Sequence, residues 1–149
     1  MAALSSTLAT KLANGKATVP SHGFAANAKL LTAQVAVTTS LAANDTLAFF
    51  TLPKGATVRH MQLQSTDIDT NASPTITFDV GDAGSATRFF SQSVVGQAGT
   101  SDSNMASTGW DYQCTADTPI IGTVHTAGAT KAAGTVRLVC HYTVDGLAD

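Results

Sequence analysis

The sequence predicts an all-β protein: a jelly-roll-like β-sandwich of about eight short antiparallel strands, preceded by an N-terminal arm. Three observations predict it. Apolar and polar residues alternate with a period of two from residue 31 almost to the C-terminus. The alternating runs are strand-sized and are separated by clusters of Gly, Pro, Asn and Asp. Thr, which is β-branched, occurs 23 times, whereas Glu is absent and Lys and Arg together number 8. Thr fits a pleated, half-buried surface, and the missing residues are those that favour helices.

Residues 1–30 stand apart from the alternating body, so the chain divides into an arm, 1–30, and a sandwich domain, 31–149. Leu4, Leu8 and Leu12 recur at i, i+4 and i+8 and form one stripe of a short helix that Asn14-Gly15 would stop. A helix so short is marginal alone in water and needs a surface to lie on. The following KATVPSHGFAANAKL reads as an extended segment whose one apolar anchor is Phe24. The arm is either ordered by contact or disordered. Disordered tails are usually rich in charge and poor in such anchors, so Leu4, Leu8, Leu12 and Phe24 are the candidate partner-binding residues.

In the body, LTAQVAVTT places Leu31, Ala33, Val35 and Val37 on one face. TLAFFTL is a second strand, entered by a turn at Asn44-Asp45 and left by a turn at Pro53-Lys54-Gly55. TVRHMQLQS follows with Met61 and Leu63 inward, then a polar loop from Asp67 to Pro74. TITFDV turns Ile76, Phe78 and Val80 inward and Thr75, Thr77 and Asp79 outward. A turn at Gly81-Asp82-Ala83-Gly84 leads to the less regular TRFFSQSVV. After the small-residue loop 96–108, a sixth strand is expected around Trp110, Tyr112 and Cys114. PIIGTVHT is the seventh, and 127–134 reads as a hairpin connection to the last strand, TVRLVCHYTV. That strand has the cleanest alternation, with Val136, Leu138, Cys140, Tyr142 and Val144 inward and Arg137, His141 and Thr143 outward.

Length and charge exclude several classes. At 149 residues the chain suits one domain with its own core. Charged residues are only 12% of it, about half the usual share, so its outer faces are largely uncharged and suited to being covered by neighbours. The net charge is −2, and the three lysines of residues 1–44 are spread apart, so a nucleic-acid partner is not expected. No stretch approaches the length of a membrane span and no signal peptide is visible, which points to synthesis in a cytoplasm.

Chemistry-bearing groups do not converge. Cys114 and Cys140 lack zinc or redox spacing. Spacing alone leaves a disulfide open, but free cysteine is among the most buried residue types, so two unbonded, buried thiols are expected. His22, His60, His125 and His141 match no metal motif, although His125 and His141 would be neighbours if their strands formed a hairpin. Asp67 and Asp69 resemble a calcium loop, without its required Gly and Glu, and read as turn residues, as do Asp79 and Asp82. No nucleophile elbow or phosphate-binding loop occurs. No enzyme activity, cofactor or metal is therefore expected. Trp110 and Tyr112, at i and i+2, would share a strand face; core packing is the expectation, and a sugar-stacking platform of a carbohydrate-binding module the rival.

Four motifs carry a resemblance: Leu52-Pro53-Lys54-Gly55, Asp79-Val80-Gly81-Asp82, Arg88-Phe89 and Tyr142-Thr143. Their order over residues 51–146 resembles small β-sandwich virion proteins of tailed bacteriophages. Where that pattern has a short acidic turn, this chain has Ser85-Ala86-Thr87. The resemblance implies a capsid decoration or cement protein, found in the virion. Its implied partners are the major capsid protein or other virion proteins, and its implied assembly is a homo-oligomer, with a trimer favoured. The alternative is a tail, connector or receptor-binding spike component; the carbohydrate-binding module ranks third.

Overall fold

The structure, a computed structural model, describes residues 28–144. It contains eight strands: β1 Ala28–Val37, β2 Thr46–Leu52, β3 Ala56–Ser65, β4 Thr77–Asp82, β5 Ser85–Ser93, β6 Ser101–Asp102, β7 Thr118–Thr126 and β8 Gly134–Val144. Two short 3-10 turns, Val95–Gln97 and Ser107–Gly109, complete the regular structure. The strands form two four-stranded antiparallel sheets, ordered β1-β8-β3-β6 and β2-β7-β4-β5.

That order is a jelly roll. Each strand of the first half pairs with its mirror image in the second: β1 with β8, β2 with β7, β3 with β6 and β4 with β5. The chain is thus one long hairpin, reversed between β4 and β5, rolled so that successive pairs alternate between sheets. Pairing of β8 with β3 and of β7 with β4 closes each sheet. The turns carry the residues their geometry needs. Asn44 and Gly55 both have positive φ, 70° and 82°, where a side chain on most residues would be strained. At Gly81 the β4–β5 reversal is so tight that a Cβ would lie 1.9 Å from the Ser85 carbonyl oxygen.

The core lies between the sheets and follows the alternation. Val136, Leu138, Cys140 and Tyr142 of β8, Met61 and Leu63 of β3, and Phe78 and Val80 of β4 are all buried, as are Ile76, Phe89, Phe90 and Ile120. Burying each large apolar side chain contributes about 1.5–3 kcal/mol relative to leaving it exposed. The irregularity of β5 has a cause: Phe89 and Phe90 are adjacent yet both buried, and Gln92 takes a positive φ of 51°. Such a break in the ladder lets neighbouring residues face the same way.

Two expectations about the chain path are corrected. The sixth strand is Ser101–Asp102, inside the expected loop, and not the segment around Trp110. Residues 111–114 still run along β3, through a bridge between Thr57 and Gln113, but Asp111 has a φ of 55° and interrupts them. The connection 127–134 is not a hairpin: β7 and β8 belong to different sheets, so it crosses the end of the sandwich. Period-two alternation is the same in both arrangements and does not report which strand lies next door.

Candidate functional site

The polar groups of the sandwich hold structure together. Asp69 sits in the 66–76 loop, almost fully buried, and each carboxylate oxygen is used. Its Oδ2 accepts from the backbone N–H of Thr75 (2.6 Å), Ile76 (3.1 Å) and Ala129 (3.0 Å), and its Oδ1 from that of Thr130 (2.8 Å). Burial alone would push its pKa up; the N–H groups of Thr130, Thr75, Ala129 and Ile76 outweigh this and hold it well below the usual carboxylate range. Asp69 therefore clamps two loops that are about 60 residues apart in sequence, a role beyond local turn chemistry.

Asp82 is also more than a turn residue. It is buried, accepts from the N–H groups of Gly84 and Ser85, and pairs with Arg88 at 2.7 Å. Burial raises its pKa, but Arg88 chiefly, with Ser85 N–H and the Tyr112 hydroxyl, brings it below the ordinary value. The Arg88 guanidinium lies 4.1 Å from the centre of the Tyr112 ring, which meets Phe89 edge-on at 6.0 Å. Two of the motifs quoted above thus meet physically, Asp82 from one and Arg88-Phe89 from the other. Asp79, expected to point to solvent, is on the outer side of its sheet but is covered: Oδ1 accepts from Gln92 N–H at 2.7 Å and Oδ2 meets His125 Nδ1 at 2.8 Å.

The histidines are not paired as a β7–β8 hairpin would pair them. His125 belongs to one sheet with Asp79, and His141 to the other, where its ring lies 6.0 Å from that of His60. Cys114 and Cys140 are free and buried, and burial pushes the Cys140 thiol up to about 12. Among the described residues no group of three or more His, Cys or Asp side chains is placed to hold a metal ion. Trp110 departs from the expected core packing: it is 66% exposed, with its indole N–H donating to the Met105 carbonyl. Asp111 between them has a left-handed φ of 55°, so Trp110 and Tyr112 are not alternate residues of one regular strand as expected.

What remains is surface, and its two long sides differ. Beyond β3 and β5, residues 103–114 close the gap between the sheets. Ala106 N–H donates to Phe89 O and the Thr108 hydroxyl to Arg88 O, while Asp111 N–H and Cys114 N–H donate to Val58 O and Ala56 O. On the other side β1 and β2 are, among the described residues, the outermost strands of their sheets. There the apolar residues Leu31, Val35, Leu41, Phe49 and Phe50 pack on the core but are only partly buried, and Leu30 on the outer face is 59% exposed. The expected arm anchors Leu4, Leu8, Leu12 and Phe24 lie outside the described residues.

Solved structures similar to this chain come from phage shells. A chain of the cyanophage Pam1 capsid asymmetric unit is 42% identical, with 97% of this chain and 100% of that one covered, at a TM-score of 0.76. A chain from the capsid of Ralstonia phage GP4 is 26% identical over 91% of this chain and 96% of that one, at a TM-score of 0.73. A chain from the acidic stable capsid of Helicobacter pylori bacteriophage KHP30 shares the fold, at 18% identity over 80% of this chain and 90% of that one, with a TM-score of 0.58. No family model and no curated protein matches the sequence. The fold and these similarities define the class, a β-sandwich structural protein of a virus particle. The chain belongs to the family of bacteriophage capsid proteins that includes the Pam1 chain; it is part of the virion and is not an enzyme.

Sequence reasoning missed the clamps at Asp69 and Asp82 and the half-covered side at β1 and β2. One signal was present for the second clamp: in a chain so poor in charge, Asp82 and Arg88 flank a reversal tight enough to bring them together.

Proposed function

We propose that this virion protein is a capsid decoration, or cement, protein that binds the assembled shell and stabilises it. The observation that carries the reading is the full-length similarity to a chain within a phage capsid asymmetric unit. A low-charge jelly roll whose buried polar groups are used as clamps supports a binding role over a chemical one. Its partners are the major capsid protein and other copies of itself, with a trimer as the favoured oligomer, after synthesis in the host cytoplasm. The mechanism is binding energy alone. Each bound copy favours the assembled shell over free subunits by mass action, and repetition over the shell multiplies weak contacts. The arm, expected over residues 1–30 and shortened to 1–27 by the start of β1, reaches onto another chain through Leu4, Leu8, Leu12 and Phe24, each contributing about 1.5–3 kcal/mol if fully buried.

The test is the number of copies per purified particle, together with rebinding of the protein to stripped particles. A copy number comparable to that of the major shell subunit is expected. A handful of copies per particle would identify a tail or connector part and overturn the reading. Because β1 begins at Ala28, the arm deletion should end at residue 27. It is expected to keep strand-type circular dichroism and to lose most binding; unchanged binding would remove the arm's role.

A further inference from the structure

We propose that the open side of the sandwich, the β1 edge with the apolar seam beside it, is the docking strip for the N-terminal arm of a second copy of this chain. A strand edge offers unpaired N–H and C=O groups, and natural sheets usually blunt it. Among the described residues the two sheets have four edges, and three of them are blunted. The β2 ladder shifts register between Ala48 and Phe50. The β5 ladder shifts twice, and β5 carries the left-handed Gln92. On the β6 side the edge strand has two residues, and residues 111–114 hydrogen-bond to the first stretch of β3, Ala56 to Val58. By contrast β1 pairs with β8 over ten residues in unbroken register, contains no proline, and carries no charge after Lys29.

The seam beside this edge is chemically matched to the arm. Leu31 and Val35 of β1, Phe49 and Phe50 of β2, and Leu41 between them are apolar and only partly buried among the described residues. Residues 1–27 supply Leu4, Leu8, Leu12 and Phe24 and contain no acidic residue. The extended part of the arm, up to residue 27, laid along β1 would gain main-chain hydrogen bonds from the edge and set Phe24 into the seam, while the Leu4, Leu8 and Leu12 stripe of the expected short helix would pack on the apolar residues beside it. The arm joins this same edge directly, since β1 begins at Ala28. A tight hairpin from the residues just before β1 would have to reverse within Ala25-Ala26-Asn27, which has no glycine, and would spend Phe24 near that turn; a return of residues further upstream would need a longer loop. Running on to a neighbour needs no reversal. At roughly 3.3 Å per residue, 27 fully extended residues reach at most about 90 Å, less than three times the roughly 33 Å length of the strip but more than enough to span it.

The inference rests on the reading above that the arm engages another chain; it adds that this chain is a second copy and names the surface. The test is amide hydrogen exchange of β1 in the full-length protein without particles, over a dilution series, for the wild type and for Phe24→Asp and Leu31→Lys. The expected result is slow exchange of β1 at high concentration, at least tenfold faster exchange on dilution, and fast exchange in both variants at every concentration. Circular dichroism should be unchanged, and the solution mass should fall to that of a monomer. Slow exchange independent of concentration in a chain whose solution mass is that of a monomer would mean the chain's own arm occupies the edge. Slow exchange insensitive to Phe24→Asp would mean that two β1 edges pair with each other. Fast exchange in concentrated wild type would mean that nothing from a second copy docks there. Each of these three overturns the proposal. Shell binding is scored separately: a variant that loses β1 protection but still binds particles leaves the strip standing and removes the arm from the cement role.

Discussion

The side of the sandwich beyond β3 and β5 and the side formed by β1 and β2 both turn apolar residues toward the core and end differently. On the first, residues 103–114 bridge the sheets with their own Met105 buried and Phe89 buried beneath them, and Arg88 spans Asp82 and the Tyr112 ring. On the second, five apolar residues of β1, β2 and their connection are left partly covered, beside a ten-residue edge in unbroken register. The difference teaches where the stability of the isolated chain resides and where surface remains for assembly. A side that is fully packed and hydrogen-bonded contributes to folding; a half-covered one can still contribute to association.

Phe89→Ala should have the largest effect, because it empties the closed side beneath Tyr112. A loss of about 3–5 kcal/mol in denaturant unfolding is expected. A loss below 1 kcal/mol would break the comparison. Arg88→Ala should follow at about 3 kcal/mol, since it leaves the buried Asp82 carboxylate without its cation. Arg88→Lys should recover only part of this, as the ring contact and the fixed guanidinium geometry are lost.

Acid sharpens the contrast. Asp69 and Asp82 have folded-state pKa values below their unfolded ones, so their stabilisation is fully present above about pH 4 and drains away as pH falls through the folded values. The melting temperature should therefore be nearly flat above about pH 5 and decline below pH 4. Asp69→Asn should cost about 1–3 kcal/mol at neutral pH, because an amide accepts fewer of the four N–H donors, and should flatten the decline. An unchanged acid slope would exclude Asp69 as one of its sources. The smallest effect is expected on the open side: Val35→Thr, at a partly exposed site, should cost less than about 1 kcal/mol in the dissociated chain. A cost like that of Phe89→Ala would show that the two sides are equally packed.

The sequence by itself determined the strand runs, the inward set on each and most of the turns. Alternation in β8 placed Val136, Leu138, Cys140 and Tyr142 inside, and the Thr-rich, Glu-free composition excluded helices from the body. These features are local, since burial of one face requires period two and a reversal requires Gly, Pro, Asn or Asp nearby. The turn motifs were also specific enough to point to phage virion proteins. Only the tertiary structure decided which strands are neighbours, and hence that β7 and β8 lie in different sheets and that His141 meets His60 instead of His125. It also decided that Trp110 is outside, because the left-handed Asp111 breaks an alternation that the residue types alone would have continued. The Asp69 clamp was beyond sequence for the same reason: its donors come from residues 75–76 and 129–130, and a carboxylate in a polar loop looks the same whether it faces water or four backbone N–H groups. The covered and uncovered sides follow from the roll itself, which leaves β1 and β2 on one flank and brings residues 103–114 across the other.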